Sequence, residues 1–558
     1  MKRITVVSAA AAMAMLWASA SVVSAQGTSS GGPAAAAKPT QSAPVSRPSS
    51  DASPPPRAVP IYTKDKRPAT PKLEDLPLKE SVSQYGITWT FDKPSRVGQF
   101  VTGDWYVVGP VTVKAIDPAP ADGVHGSMLN PQPGEYQGYA ARNGVQDGKK
   151  DRIYKAELTT VPPVAIKLGD SLVSTITLAS GKSGRSHRLY GRHVGGGPDS
   201  VSRAAAVLTC LEKPVPPDTF RPGYCGRTTK VFRASDLCLD LLPSVELTLG
   251  APDIEGFARV FQRPWIDHAY SWSSRHIRPV ENMPEYGQQV GHAVEEGGLL
   301  LLSNAPIEKK MPLLIGFIQV GIDNYGCVER GLKGWPGAGG FGNGRKWPIV
   351  FAGVLLQDKE MQNVKAEFGE DDHTAFGTCW TGAGVVFTGQ YPRIYQENPK
   401  GYPDRGPFEH LPPDQWYAVM GEAYRRANTS ICWVGQAMAA RLMRAEKTWN
   451  HDAFFAYVDR WMYEEDGKSR LEIDKVCPNL KLADEARIYG RQGHCLTFVK
   501  EMWEKYRTAP GMPPTDGWKR TANTPPAPAS APSKKMREEK PKGEKPKEAV
   551  PDGEMPGA

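Results

Sequence analysis

Two patterns of hydrophobic and polar residues divide the chain near residue 250. The first is strict alternation, as at Ile87, Trp89 and Phe91, and a period of two is typical of half-buried β-strands. Comparable runs, separated by clusters of Gly, Pro and Asp, predict strands at 105–113, 153–161, 164–168, 172–178, 204–211 and 245–249. Short strands joined by turns predict an antiparallel β-sandwich-like domain over residues 85–250.

The second pattern has the longer period of helices. It predicts helices at 253–262, 286–304, 308–330, 347–356, 414–426, 430–446 and 495–506, and one more that begins at an Asn450 cap. The segment 308–330 is apolar on every side, as in a helix buried among others, and Gly331 follows it as a stop signal. Helices joined by turns pack as hairpins, so an incomplete (α/α) toroid is predicted over residues 251–510. The predicted fold class is multidomain α+β.

The first 25 residues have the pattern of an export signal. A basic start (Lys2, Arg3) precedes an apolar stretch that ends in small residues, which predicts cleavage after Ala25 and a secreted or periplasmic protein. An uncleaved membrane anchor is the alternative. Residues 26–84 and 511–558 are predicted to be a disordered spacer and tail because they are poor in apolar groups. No later segment has the ~18 uninterrupted apolar residues of a membrane span.

Charge and cysteine content add two expectations. The formal net charge of +8 is spread thinly along the chain, which fits an anionic ligand and does not indicate a nucleic-acid binder. Export would allow disulfides to form among the eight cysteines. The pairs Cys210–Cys225 and Cys477–Cys495 are preferred because each closes a short loop, whereas Cys327 and Cys432 fit buried free thiols within helices.

The helical region contains two segments that resemble a known class of enzyme. The runs Trp-Asn-His-Asp-Ala-Phe-Phe-Ala-Tyr-Val-Asp-Arg-Trp (449–461) and Gly-Asn-Gly-Arg-Lys-Trp-Pro-Ile (342–349) resemble exported bacterial (α/α)-toroid polysaccharide lyases acting on alginate, heparin or glucuronan. The resemblance covers residues 250–510. It implies β-elimination in an anionic, uronate-containing polysaccharide or oligosaccharide.

β-Elimination needs a group that moves protons, and the chain offers four candidates. A tyrosine or histidine removes the C5 proton, and a tyrosine can return one to the leaving oxygen. The candidates are Tyr325, Tyr286, His276 and His373. Asn428 is either a helix cap or a residue that faces the cavity.

A glycine-rich loop at 334–347 supplies most of the candidate substrate-binding residues. It is not a phosphate-binding P-loop, because Gly344 is followed by Arg345 and Lys346 by Trp347. Its glycines would let a ligand approach the backbone, its tryptophans would stack on sugar rings, and its basic residues would hold a carboxylate. With neighbouring segments, the substrate-binding candidates are Arg275, Arg345, Lys346, Trp335, Trp347, Trp380 and Asn324.

The acidic residues indicate a possible cation site and an alternative reaction. Asp371 and Asp372 would suit a cation such as Ca²⁺, although no cofactor is required by the sequence. A glycoside hydrolase on the same scaffold would pair one of them with Glu285 or Asp323. The third alternative is a non-catalytic, glycan-binding protein of the cell envelope.

Overall fold

The structure, a computed structural model, describes residues 57–141, 153–178, 201–271, 273–337, 339–387, 409, 428–465, 471 and 493–519. These residues lie within one compact unit, Pro55–Ala558. The fold is mixed α+β, which confirms the predicted class at this level: the longer strands come first and the longer helices follow. The division into a separate β-rich domain and a helical domain stays a prediction.

A curled sheet occupies the first half of the described chain. Its strands are β1 Leu78–Gln84, β2 Ile87–Gln99, β3 Trp105–Val108, β4 Val111–Asp117, β5 Ser127–Leu129, β6 Val164–Ile166, β7 Ser171–Thr177 and β8 Ser202–Leu211. The strand order is β5-β7-β8-β3-β2-β4-β6, with β1 also paired to β2. All of these pairs are antiparallel except β3 with β8. The alternating pattern therefore located most of the strands correctly.

Strand β2 belongs to both parts of the sheet. Its residues 87–91 pair with β1 and β4, Ser95 and Arg96 continue the pairing with β1, and Val97–Gln99 pair with β3. Pro94 lies between these parts and has no amide hydrogen for the ladder. The two parts then face each other across a shared core, where Trp89 Nε1 donates to Ser174 Oγ at 3.0 Å.

Strand β8 joins this core to the helices. Ala206 and Leu208 point into the curled-sheet core, whereas Ala205 and Val207 point into the large core formed with the helices. Side chains alternate between the faces of a strand, so one strand contributes to both cores. The sheet thus packs directly on the helical region.

Helices dominate the second half of the described chain. They are α1 Ile254–Phe257, α2 Gly287–Leu301, α3 Ile307–Glu329, α4 Lys346–Leu356, α5 Lys359–Gln362, α6 Gly369–Asp372, α7 Val434–Leu442, α8 Glu446–Trp449, α9 Asp452–Tyr463 and α10 Thr497–Tyr506. Short strands β9 Gly334–Trp335, β10 Glu367–Phe368, β11 Thr374–Phe376 and β12 Val385–Phe387 lie between them. Helix α3 packs against α1, α2 and α4, and α2 packs against α7.

Helix α3 confirms the prediction of a buried helix. Its length and composition alone would suit a membrane span, but 83% of its most apolar window is buried inside the protein. Gly331 follows the helix with φ +102°, a backbone conformation that suits glycine at a helix end. The predicted helix 414–426 lies outside the described residues.

Three local predictions are wrong. Residues 153–161 contain a 3₁₀ turn, Ala156–Leu158, and only an isolated bridge at Tyr154. In the segment 245–249, Val245 makes a single bridge to Ser303. Asn450 ends α8 in the left-handed conformation, with φ 59°, and therefore does not cap α9. Asparagine adopts this conformation more readily than most residues, so the residue type suited either end.

The cysteines differ from the predicted pairing. Cys210 and Cys225 are free thiols that donate to different acceptors, Gly109 O at 3.0 Å and Pro131 O at 3.1 Å. The predicted Cys210–Cys225 bridge is therefore not formed. Cys495 is also a free thiol, and its predicted partner, Cys477, lies outside the described residues. Cys327 and Cys432 are buried and free, as predicted.

Candidate functional site

The glycine-rich loop is bound at two points to the acidic residues of α6. Strand β9 pairs in parallel with β10, and α6 begins directly after β10. The backbone N–H of Gly337 donates to Asp372 Oδ2 at 2.8 Å, and that of Gly344 donates to Glu370 Oε1 at 2.6 Å. The loop and the acidic segment, predicted as separate candidates, therefore form one structural unit.

Close packing by the protein itself explains two of the loop glycines. A Cβ on Gly340 would lie 2.9 Å from Asn428 Nδ2 and 3.2 Å from Tyr286 Cε1. A Cβ on Gly344 would lie 2.8 Å from the backbone nitrogen of Gly291 in α2. These glycines admit neighbouring protein rather than a ligand, which corrects the prediction. Gly339 differs, because a Cβ there would meet nothing within 4 Å.

A buried ion network lies under the loop. Asp267 binds Arg278 at 2.7 Å and Arg345 at 2.7 Å, and all three residues are at most 2% exposed. Burial alone would raise the pKa of Asp267, but the charges of Arg278 and Arg345 outweigh it and hold this pKa below its usual value. Arg345 also donates to the Asn343 carbonyl at 2.5 Å. Asp267 therefore occupies the guanidinium that was predicted to hold a substrate carboxylate.

Two further buried charges complete this layer. The Lys346 ammonium pairs with Asp371 and lies 5.1 Å from the centre of the Trp449 ring, so it too is bound by protein. Burial raises the pKa of Glu370 to about 7. Within the described residues Glu370 Oε2 accepts no hydrogen bond. We call these residues the buried floor: Asp267, Arg278, Arg345, Lys346 and Glu370.

Three half-buried polar residues lie beside the loop. Asn428 Nδ2 donates to Tyr286 Oη at 2.9 Å, and Gln288 Nε2 donates to Asn428 Oδ1 at 2.7 Å. Tyr286 directly precedes α2, and Gln288 belongs to its first turn. We call Tyr286, Gln288 and Asn428 the rim. In contrast to the floor, the rim is partly accessible and contains no charged side chain.

The segment before Tyr286 is fixed by Arg275 and Glu285. Arg275 Nη1 contacts Glu285 Oε1 at 3.1 Å and donates to His276 Nε2 at 2.6 Å. Burial, together with Arg275 and Arg278, lowers the pKa of His276 to about 3. His276 is 6% exposed, and a pKa this low leaves its imidazole neutral near pH 7.

The other predicted histidine and two tryptophans are inside the protein. His373 stacks on Phe387 with 4.8 Å between ring centres, and its Nε2 donates to Gly339 O at 3.2 Å. Trp335 and Trp347 are 0% exposed. A tryptophan stacks on a sugar only when a ring face is accessible, and neither ring has an accessible face in this structure.

Three more predicted residues lie apart from the rim. Tyr325 is near the end of α3, with Lys230 5.8 Å from its ring centre, and burial, followed by Glu360 and Glu329, raises its pKa to about 12. Asn324, its neighbour in α3, is 2% exposed. The backbone N–H of Trp380 donates to Glu409 O at 2.8 Å. Of the predicted catalytic residues, Tyr286 alone belongs to the rim.

The proposed cation site has protein donors in place of a metal. Trp449 Nε1 donates to Asp371 Oδ1 at 3.0 Å, in addition to the Lys346 pair, and Asp372 accepts from Gly337. Across the described parts of the chain, no group of three or more His, Cys, Asp or Glu residues is placed to hold a metal ion. Asp371 and Asp372 therefore act as anchors for the loop in this structure.

A pocket of about 480 Å³, part of it open to solvent, lies at the sheet–helix junction. Its polar lining includes Asp104, Arg221 and Asp323, where Arg221 binds Asp104 at 2.8 Å and Asp323 at 2.6 Å. None of its lining residues belongs to the loop, the floor or the rim. Arg221 Nη1 and Nη2 donate to the two oxygens of Asp323, so the charges in this lining are paired with each other.

No family model, curated protein or solved structure matches this chain. The site therefore has to be interpreted from its own geometry. Sequence reasoning missed Asp267 and Gln288, since neither belongs to a motif and each acquires its role from a distant partner. Arg345 is 78 residues from Asp267, and Asn428 is 140 residues from Gln288.

Proposed function

We propose that the protein is an exported polysaccharide lyase that cleaves a uronate-containing glycan at the rim. The observation that carries the proposal is the hydrogen bond between Tyr286 Oη and Asn428 Nδ2. A half-buried tyrosine oriented by an amide is the pair of residue types that elimination requires, and the pair lies beside a loop that is anchored to buried charges. The export signal read from residues 1–25 supports the location.

We also propose that the sheet is a β-sandwich-like module and that the helices form an incomplete (α/α) toroid. The curled sheet has two parts that share a core, which supports a β-sandwich-like module. Helices α2, α3, α4 and α7 pack on one another, which supports an incomplete toroid of hairpins. In such an arrangement the rim, at the start of α2 and just before α7, would lie at the mouth of the helical layer.

The rim residues would divide the reaction between them. Tyr286 Oη, as the phenolate, takes the proton from C5 of the uronate. Negative charge then develops on the neighbouring carboxylate, and Asn428 stabilises it, since an amide nitrogen carries two N–H groups and only one is directed at Tyr286. The C4–oxygen bond breaks, a C4=C5 double bond forms, and Tyr286 returns the proton to the leaving oxygen. Gln288 holds Asn428 in position.

The carboxylates suggested for a hydrolase have other partners. Asp371 is bound by Lys346 and Trp449, Glu285 by Arg275, and Asp323 by Arg221. A hydrolase needs one carboxyl group as acid and another as base or nucleophile, both open to the scissile bond. The geometry therefore favours elimination over hydrolysis.

The experiment is a digest of alginate, heparin and glucuronan by the purified mature chain. Ultraviolet absorbance reports the unsaturated product, and a reducing-end assay reports every cleavage. We expect both signals to rise together on one of these polymers. Reducing ends without absorbance would replace the lyase proposal with a hydrolase, and no cleavage of any polymer would leave glycan binding as the better account.

A further inference from the structure

A half-buried histidine lies on α2 one helical turn beyond the rim residue Gln288. His292 Nδ1 is 2.7 Å from Glu295 Oε1, and the side chains of His292 and Glu295 are 16% and 0% exposed. Residues four apart on a helix share one face and are separated by roughly 6 Å along the axis. This advance is close to the length of one sugar unit in a glycan chain, so His292 lies about one sugar unit from Gln288.

Hydrogen bonds at two points hold this face of α2 against the chain that leads into α7. At the rim, Gln288 Nε2 donates to Asn428 Oδ1 at 2.7 Å. Seven residues further along α2, Glu295 Oε2 accepts from the backbone N–H of Gly435 at 2.9 Å. His292 lies between these two points, so its position relative to the rim is fixed by hydrogen bonds on both sides.

Glu295 determines which nitrogen of the imidazole carries the proton. Its two oxygens accept from His292 Nδ1 and from Gly435 N–H, so the proton of the neutral ring is on Nδ1 and the lone pair is on Nε2. Burial raises the pKa of Glu295, but the hydrogen bonds from His292 and Gly435 favour its ionised form and oppose the rise. Among the described residues, none forms a hydrogen bond with His292 Nε2. A ligand at the rim can therefore use this nitrogen as an acceptor.

We propose that His292 and Glu295 form a subsite for the sugar unit next to the one that is cleaved. His292 Nε2 accepts a hydrogen bond from a hydroxyl group of that unit, and Glu295 is a positioning residue that keeps the lone pair on Nε2. The subsite rests on the proposed function, since it extends the glycan site by one unit along α2. It contacts no reacting atom, so it contributes to substrate binding and leaves the chemical step nearly unchanged.

The first test separates KM from kcat on a polysaccharide that the wild-type chain cleaves. His292→Ala should raise KM about five- to tenfold, the effect of losing one hydrogen bond, and should keep nearly the wild-type kcat. Glu295→Gln should raise KM similarly although His292 is still present, because the new amide donates to Nδ1 and moves the ring proton to Nε2. His292→Gln, whose amide oxygen is an acceptor, should recover part of the loss. An unchanged KM in His292→Ala, or a loss confined to kcat, would overturn the subsite.

Diethyl pyrocarbonate tests binding without catalysis, because it acylates the unprotonated nitrogen of an imidazole. The Tyr286→Phe chain is used so that the ligand is not consumed, and the modification of His292 is followed by peptide mass mapping. The ligands are oligosaccharides of alginate, heparin and glucuronan, with maltotriose as the neutral control. At about four times its Kd, the oligosaccharide that binds should slow the modification about fivefold, by the factor 1 + [L]/Kd. Modification at the same rate with and without every oligosaccharide would contradict the proposal.

Together the two measurements distinguish the subsite from the lyase proposal on which it rests. Protection of His292 without cleavage of any polymer would reject the lyase and keep the subsite as a glycan-binding site. Cleavage with neither protection nor a change in KM would reject the subsite alone. If there is neither cleavage nor protection, both proposals are rejected. If a variant does not fold, the peptide map decides.

Discussion

The floor and the rim of the site are adjacent but differ in chemistry. The floor holds ionisable residues that are at most 4% exposed, and each of them contacts another part of the protein. The rim holds a tyrosine and two amides that are half-buried and joined by hydrogen bonds of 2.7–2.9 Å. Buried charges act mainly on stability, because an unpaired charge in the interior is costly. Accessible polar groups are the ones that a substrate can reach.

Substitutions in the floor and substitutions in the rim should therefore have different consequences, although the two groups of residues are adjacent. Changes in the floor should lower the free energy of unfolding, whatever they do to activity. Changes in the rim should lower activity while leaving unfolding nearly unaffected. The following predictions test that separation, beginning with the largest expected effect.

Asp267→Ala should be the most damaging of these substitutions to stability. It leaves the buried guanidinium groups of Arg278 and Arg345 without their carboxylate, and removing one member of a buried pair costs about 3–5 kcal/mol. Urea unfolding measures the loss. Asp236→Ala, which breaks an exposed pair with Arg67, is the control and should cost less than about 1 kcal/mol. Equal losses in the two variants would contradict a structural role for the floor.

Glu370→Gln should change how stability depends on pH. Because the pKa of Glu370 is raised from 4.5 to about 7, the folded chain keeps a proton that the unfolded chain releases. The stability that this proton contributes is complete below the unfolded pKa and is lost as the pH rises through the folded pKa. Between pH 5 and 8 the wild-type chain should lose about 2–3 kcal/mol more than the variant. If the free energies of unfolding of the wild-type chain and the variant change with pH in parallel, Glu370 does not keep its proton in the folded chain.

Gly340→Ala should lower activity by moving the rim. The added Cβ would lie 2.9 Å from Asn428 Nδ2 and 3.2 Å from the Tyr286 ring, so the hydrogen-bonded pair must shift. A displacement of about 1 Å costs a reaction roughly tenfold to hundredfold in rate. Gly134→Ala, whose Cβ would meet nothing within 4 Å, is the matched control. Wild-type turnover in Gly340→Ala would mean that the rim geometry is not important for the reaction.

Much of the fold was predictable because periodicity is a local property. The alternation at Ile87, Trp89 and Phe91 located the start of β2, which continues to Gln99, and the apolar surface of α3 located that helix to within one residue at each end. The failures occurred where local pattern was ambiguous, as at Asn450, which suits either end of a helix. The residues 153–161 were apolar enough for a strand but formed a 3₁₀ turn.

The site was predictable in its residues but not in their roles. The glycine-rich loop and the acidic segment were both singled out, and both belong to the site. A sequence does not show whether a glycine admits a ligand or another part of the protein, as Gly340 and Gly344 do. Nor does it show that Arg345 has a buried partner in Asp267. Those partners lie far away in the chain, so spacing gives no signal for them.

The most direct test of the account compares Tyr286→Phe with Tyr325→Phe on a polysaccharide that the wild-type chain cleaves. Both tyrosines have the residue type required, but only Tyr286 contacts Asn428. The account predicts that Tyr286→Phe lowers the kcat for unsaturated product by about 10²–10⁴-fold with unchanged unfolding, and that Tyr325→Phe retains wild-type kcat. Near wild-type kcat in Tyr286→Phe would contradict the assignment of the rim as the catalytic centre.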